Sequence, residues 1–290
     1  MTSNDDRRQR SYRVGGRISR ERIAREAPDH HQALEAVQRS DIVVVSDIYD
    51  HVEWVLEALD LPYTTVGTHQ VGALRLRPEQ LLVVNCPGKT DGRGIATIRR
   101  FVAKGGSLFT TDWALRNIIE PAFPGLLAYN EKPTADAVVR VEVTDHDNAF
   151  LKGVMDEGDD PVWWLEGSSY PIRVLDTERV DVLIRSRELA DQWGEDPIAV
   201  TFTHGEGEVF HMISHYFLQR AETRTRRHNR TAASYAADKG VTLAPEYVEE
   251  AADLNLSEVE SAASSARMMA NLIAEKKKRL AGYSKQGRSS

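Results

Sequence analysis

A single cysteine, Cys86, is all the thiol in these 290 residues. One thiol can form no disulfide within the chain and no structural zinc site built on several cysteines, so a reducing compartment fits best. Long hydrophobic runs are also missing: every apolar stretch is strand-length, far short of the ~20 residues that cross a membrane. An excess of positive charge is absent too, since 37 Lys and Arg face 44 Asp and Glu for a formal net charge of -7. Binding nucleic acid through the field of the whole protein needs the opposite balance, so nucleic acid is not an expected partner. The first residues lack an apolar signal segment, and Asp5, Asp6, Glu21 and Glu26 are foreign to a transit peptide. The expected location is cytoplasmic, without membrane contact.

What is present comes in segments. Up to Pro28 the chain is rich in Arg and poor in large apolar residues, so residues 1–30 read as a basic arm that stays mobile or folds only against a partner. From Asp41 the pattern changes. DIVVVSD is a β-branched run, and HVEWVLEALD follows it with Val52, Val55, Leu56 and Leu59 at helical spacing. LPYTTVG, LLVVNCPG and SLFTT read as further strands, GIATIRRFVAKGG as a helix stopped by glycine. Strands this apolar, alternating with helices, predict a mainly parallel α/β sheet covered on both faces.

Beyond Pro124 strands dominate: AVVRVEV, PIRVL, DVLIRS, PIAVTF and GEVFHMIS extend the sheet, some of them antiparallel. After Phe217 the chain turns polar and helical. The helix LSEVESAASSARMMANLIAEKKKRL opens with Ser257 and Glu260 at capping-box spacing, and its narrow apolar stripe suits packing on the body or on another helix. The predicted divisions are an α/β domain over 38–218, a helical extension over 219–283 and a disordered tail over 284–290. GKTDGRG lacks the glycine spacing of a phosphate loop and reads as a surface loop.

In their order, DIVVVSDIYDHVEWVLEAL, LLVVNCPG and IRRFVAKGGSLFTTDWAL, followed by DHDNAFLKGV, WWLEGSSY, DVLIRS and PIAVTFTHGEGEVFHMISH, resemble the class I glutamine amidotransferase-like superfamily. The resemblance is strongest to its ThuA-like, non-amidotransferase group and covers Asp41 to Phe217. It implies a flavodoxin-like fold. It also implies a cysteine nucleophile at a strand-to-helix turn and a His and Glu after a late strand, but here the turn is Thr110, Thr111, Asp112, Trp113 and the late strand gives Phe210, His211, Met212, Ile213. Without nucleophile and orienting carboxylate, thioester hydrolysis of glutamine is not expected. Cys86 ends a different strand, where a lone cysteine reads as a small buried hydrophobe; a catalytic role would need a base from His51, His211 or His215.

Ligands of open α/β sheets collect outside the carboxyl ends of the strands. That selects Asp47, Tyr49, Asp50 and His51, then Asn85, Cys86 and Gly88, then Thr111, Asp112 and Trp113. Asp50 and Asp112 each also have the plainer role of helix N-cap. A second group is His211 and His215 with Glu166 and Tyr170, suited to general acid–base work. The two histidines are four residues apart on a strand end, where their side chains need not converge, so neither metal nor cofactor is expected. Asp145, His146 and Asp147 read as turn formers. Adjacent Trp163 and Trp164 cannot both face inward on a strand, so one should be exposed or at an interface.

Two functions follow as expectations. One is a degenerate amidotransferase-like module without glutaminase activity that binds a partner protein, a second copy of itself or a small ligand. The other is a ThuA-like hydrolase or sugar-modifying enzyme using Asp112, His211, His215, Glu166 and Cys86.

Overall fold

The computed structural model describes residues 3–215 and 222–286. In chain order the elements are α1 (Ser3–Glu26), α2 (Pro28–Glu35), β1 (Ile42–Ser46), α3 (Val52–Ala58), β2 (Thr64–Gly67), β3 (Leu81–Val84), α4 (Gly92–Ala103), β4 (Ser107–Thr111), α5 (Glu120–Ala122), β5 (Leu127–Tyr129), β6 (Ala137–Arg140), β7 (Glu142–Val143), β8 (Val162–Leu165), β9 (Ile172–Val174), β10 (Val180–Arg185), α6 (Arg187–Trp193), β11 (Pro197–His204), β12 (Gly207–Met212), α7 (Ala232–Asp238), α8 (Pro245–Ala251) and α9 (Leu256–Gln286). The main sheet runs β2-β1-β3-β4-β12-β11-β10-β7. Its first five strands are parallel neighbours, and the last three join antiparallel. This is the α/β class expected from the apolar strand runs, with a doubly wound order whose switch point falls between β1 and β3. β1, β3 and β4 are buried along nearly their whole length, as strands covered on both faces must be.

Not every added strand extends the sheet. β5 pairs with β9 and β6 with β8 in two separate ribbons. β8 is buried on both sides, which corrects the expectation for Trp163 and Trp164: both are inside. Trp163 shares a small apolar cavity with Met268 of α9, while Trp164 faces the other way, donating its indole N–H to Asp136 at 2.6 Å and lying edge-on to His215.

Residues 3–26, expected from the sequence to stay mobile or to fold only against a partner, form a 24-residue helix that packs on the chain itself. The glycine pair explains how it docks. A Cβ on Gly15 would lie 2.8 Å from the Ala263 nitrogen, and one on Gly16 would lie 2.3 Å from the Ala58 carbonyl oxygen, so only glycine lets α1 seat against both α9 and α3. Its arginines are neutralised in place: Arg7 by Asp253 and Glu258, Arg10 by Asp253, Arg13 by Glu250. α9 is likewise not the narrowly striped helix expected, since Ser261, Ser264, Ser265, Arg267 and Asn271 are buried along with its apolar residues. Its start is closed by Glu258 accepting from the Asn255 N–H at 2.8 Å, while Glu260, the expected capping partner of Ser257, instead pairs with Arg227. The predicted end of the α/β domain at 218 and the last residues of the tail fall outside the described residues.

Candidate functional site

The parallel strands end side by side, with Val45 opposite Val84, Val84 opposite Thr110 and Thr111 opposite Met212. The loops leaving those ends carry Asp47–His51, Asn85–Gly88, Asp112–Ala114 and Ile213–His215 to one edge. The loop after β8, Glu166–Tyr170, closes over them. Backbone strain gathers here. Among the described residues five that are not glycine have left-handed φ, and three of them, Asp112 (+44°), Ser168 (+76°) and Ser214 (+60°), belong to these loops. Such conformations persist only where surroundings over-determine them, which is common at functional sites.

The left-handed turn at Asp112 throws its side chain across to the β8 loop and not back onto the helix that follows. Tyr170 N–H donates to Oδ1 at 2.8 Å and Ser169 Oγ–H to Oδ2 at 2.9 Å. Asp112 is therefore not an N-cap, and neither is Asp50, because the N-cap of α3 is His51, without a side-chain bond. Asp50 is fully buried and accepts the His51 N–H at 2.7 Å.

His215 sits between two carboxylates. Its Nε2 is 3.9 Å from Asp112 Oδ2, and its Nδ1 is 2.7 Å from Glu166 Oε2, close but off the direction of the ring N–H. Burial pushes the imidazole down, but Glu166, Asp50 and Asp112 outweigh it and hold His215 above the ordinary imidazole value. Burial pushes the Asp112 carboxyl up to about 6, against the pull of His215, the Tyr170 N–H and Ser169. His215 and Asp112 are about 2% exposed, whereas the Glu166 side chain is 37% exposed, so the carboxylate that solvent or a ligand reaches first is Glu166. The Cys86 thiol is raised far above its usual value, first by burial and then by Asp112. It is a neutral thiol, and its loop is tied by the Cys86 N–H donating to Thr111 Oγ1 at 3.1 Å.

Several residues selected from the sequence meet in this crevice. Asp47 Oδ2 accepts the Gly88 N–H at 3.1 Å, and Gly88 has φ +66° with no room for a Cβ, which would stand 2.8 Å from a Val84 methyl. Tyr49 lies parallel to His215 at 6.5 Å between centroids and edge-on to Trp113 at 5.4 Å. Trp113 stacks on Tyr170 at 5.7 Å, and Tyr170 on Tyr129 at 4.0 Å. The result is an aromatic wall beside the charged floor. Asn85 faces away, donating from Nδ2 to Glu53 Oε2 at 2.7 Å, and the His51 ring stacks on Trp54.

His211 is not in the group. It lies inside β12, fully buried, with Nδ1 2.8 Å from Thr110 Oγ1, and burial holds its imidazole down to about 3. No hydrogen bond, ion pair or ring contact joins it to Asp112, Glu166 or His215 among the described residues. Four positions on a strand put His211 in the sheet interior and His215 beyond the strand end, after the reversal at Ser214.

Ser169 and Ser214 were missed from the sequence, as was Glu53. Ser169 holds Asp112, Ser214 Oγ accepts the Glu166 N–H at 3.0 Å, and Glu53 ties Ser46 to Asn85. The two serines adjoin residues already singled out in WLEGSSY and FHMISH, but a serine has no pattern that marks it as a holder of another side chain.

No family model and no curated protein matches the chain. Solved structures to which the chain has a distant likeness include a cytoplasmic protein from Salmonella typhimurium (13% identical, TM-score 0.43, covering 60% of this chain and 87% of that one), a ThuA-like protein from Bacteroides uniformis (12%, 0.42, 59% and 79%) and a carbohydrate deacetylase (14%, 0.44, 68% and 31%). The chain thus spans under a third of the length of that deacetylase. No described helix is long and apolar enough to cross a membrane.

Proposed function

We propose that the crevice binds a small polar ligand and performs general acid–base chemistry on it, as a hydrolase or sugar-modifying enzyme of ThuA-like character. The observation that carries this reading is the line Glu166–His215–Asp112 at the carboxyl edge of the sheet, buried at His215 and Asp112 and open to solvent at Glu166. Burial raises the Asp112 carboxyl to about 6, and the carboxylates around His215 hold its imidazole above the ordinary value despite burial, so a group that can accept a proton stands beside one that can give it. The wall of Tyr49, Trp113 and Tyr170 offers flat apolar surface to the C–H face of a sugar ring while the carboxylates address its hydroxyls. Glutamine hydrolysis is outside the proposal: the residue at the strained turn is Asp112, and Cys86 is a buried neutral thiol on another strand. A second reading, a non-catalytic module for a ligand or a protein partner, draws on one feature, that both Asp112 oxygens already accept internal hydrogen bonds.

The test is a panel of p-nitrophenyl glycosides, p-nitrophenyl acetate and simple mono- and disaccharides, read by product release and by thermal shift. We expect at least one compound to be cleaved or to raise the melting temperature. Asp112→Asn and His215→Gln should abolish that response while the unliganded chain still folds. A response retained in both variants would remove the acid–base reading, and binding without cleavage that survives only in Asp112→Asn would support the binding module.

A further inference from the structure

We propose that Cys86, Asp112 and His215 form a divalent-metal site of zinc type with one coordination position open to the crevice. It rests on the same crevice being the place of the chemistry proposed above, and would give that chemistry a metal-assisted form. The three donors come from three loops, after β3, β4 and β12, and their ligating atoms all lie within 4.8 Å of one another. All three residues are buried. His215 Nε2 and Asp112 Oδ2 are 3.9 Å apart, too long for a hydrogen bond. Two ligands about 2.0–2.2 Å from one tetrahedral ion stand roughly 3.4 Å apart, so the His215–Asp112 pair must close by about half an ångström and any pair at the 4.8 Å limit by somewhat more than one.

The surroundings match what metal ligands need. A metal-bound imidazole characteristically offers its other nitrogen to a carboxylate, and here Glu166 Oε2 lies 2.7 Å from His215 Nδ1, so that a turn of the ring or carboxylate would align the bond. Asp112 is oriented by Ser169 and the Tyr170 N–H, and the Cys86 loop by Thr111. The charge balances: thiolate plus carboxylate neutralise a divalent cation with His215 neutral, and the displaced thiol and imidazolium protons pass to solvent. The mixed sulfur, nitrogen and oxygen set favours zinc over calcium or magnesium, and three protein ligands with a vacant fourth position is the pattern of catalytic zinc. Glu166, on the Nδ1 side of the ring and so away from the ion, becomes the positioning residue for His215.

The full tag-free chain would be freed of metal and titrated with Co²⁺ and Zn²⁺, following stoichiometry by equilibrium dialysis and the thiolate-to-cobalt charge-transfer absorption. We expect one ion per chain with that absorption. Cys86→Ser should lose the band, with Cys86→Ala as a second variant in case one fails to fold. His215→Gln and Asp112→Asn should weaken binding more than Glu166→Gln, which should cost about 10- to 100-fold. His211→Gln should leave it unchanged. Absence of a bound ion, an ion bound without the charge-transfer band, or binding indifferent to Cys86→Ser and His215→Gln would each overturn the site. The two proposals fail separately: metal-free chain that still cleaves a glycoside removes only the metal, and a bound ion with no response to any sugar removes only the acid–base reading.

Discussion

At the seam where α1 and α7 meet α9, the fully buried Glu260 receives two N–H groups from Arg227, Lys239 closes on Asp156 and Asp159, and Arg22 on Glu26 and Asp156. At the crevice Asp112 is buried as deeply, but no guanidinium or ammonium reaches it among the described residues. Its neighbours are a serine, one backbone N–H and an imidazole 3.9 Å away. Burial raises both carboxyls, Glu260 and Asp112. The seam answers with full-charge partners in ordinary backbone geometry. The crevice answers with dipoles, a titrating histidine and three left-handed residues. Raised carboxyls alone therefore do not distinguish the two regions, and what does is the partner: a network closed by fixed cations holds helices together, whereas a carboxyl left with dipoles and an imidazole retains donor capacity for a ligand.

The sharpest way to break this comparison is to remove one partner from each side. Arg227→Ala takes the cation from the buried Glu260, which must then take up a proton or carry an unpaired charge, and should lower unfolding free energy by about 3 kcal/mol in urea titrations; a loss under about 1 kcal/mol would mean the seam does not depend on its ion pairs. Gly16→Ala tests the same seam without touching charge. Its new methyl would press on the Ala58 carbonyl, and we expect about 2 kcal/mol of destabilisation despite the roughly 1 kcal/mol that alanine gains in a helix. On the crevice side, Asp112→Asn should leave stability at pH 7 unchanged or raise it by about 1 kcal/mol, because a neutral amide of the same shape replaces a buried charge. A fall beyond about 2 kcal/mol would make Asp112 a structural anchor like Glu260.

The remaining test, read against pH, belongs to His211. Its folded pKa of about 3 lies below that of an unfolded histidine, so the unfolded chain takes up the proton first as pH falls. Stability that His211 contributes is complete above about pH 6.5 and is lost as pH drops toward 3. The difference in unfolding free energy between pH 7 and pH 4 should therefore be smaller in His211→Gln than in the parent chain. Equal differences would show that burial does not hold the His211 imidazole below its ordinary value.

Much of the fold could be read directly. The β-branched runs DIVVVSD, LLVV and SLFTT become β1, β3 and β4, and the rule that ligands gather at strand carboxyl ends chose Asp47, Cys86, Asp112 and Trp113 before any coordinates. Residues 3–26 were misread because composition was weighed without the packing that Gly15 and Gly16 permit. Pairing His211 with His215 was misread because strand spacing cannot show where the strand stops and the backbone reverses at Ser214.

Local patterning by itself thus determined the class of the sheet and where its first strands lie along the chain, since buried parallel strands and helix spacing are periodic in sequence. Tertiary structure alone decided that Cys86, Asp112, Glu166 and His215 converge, that α1 is ordered against α9, and that β8 is covered on both sides. These depend on contacts between residues far apart in the chain, on a left-handed φ at Asp112 and on which carboxylate found a cation, and no short stretch of residues encodes any of them.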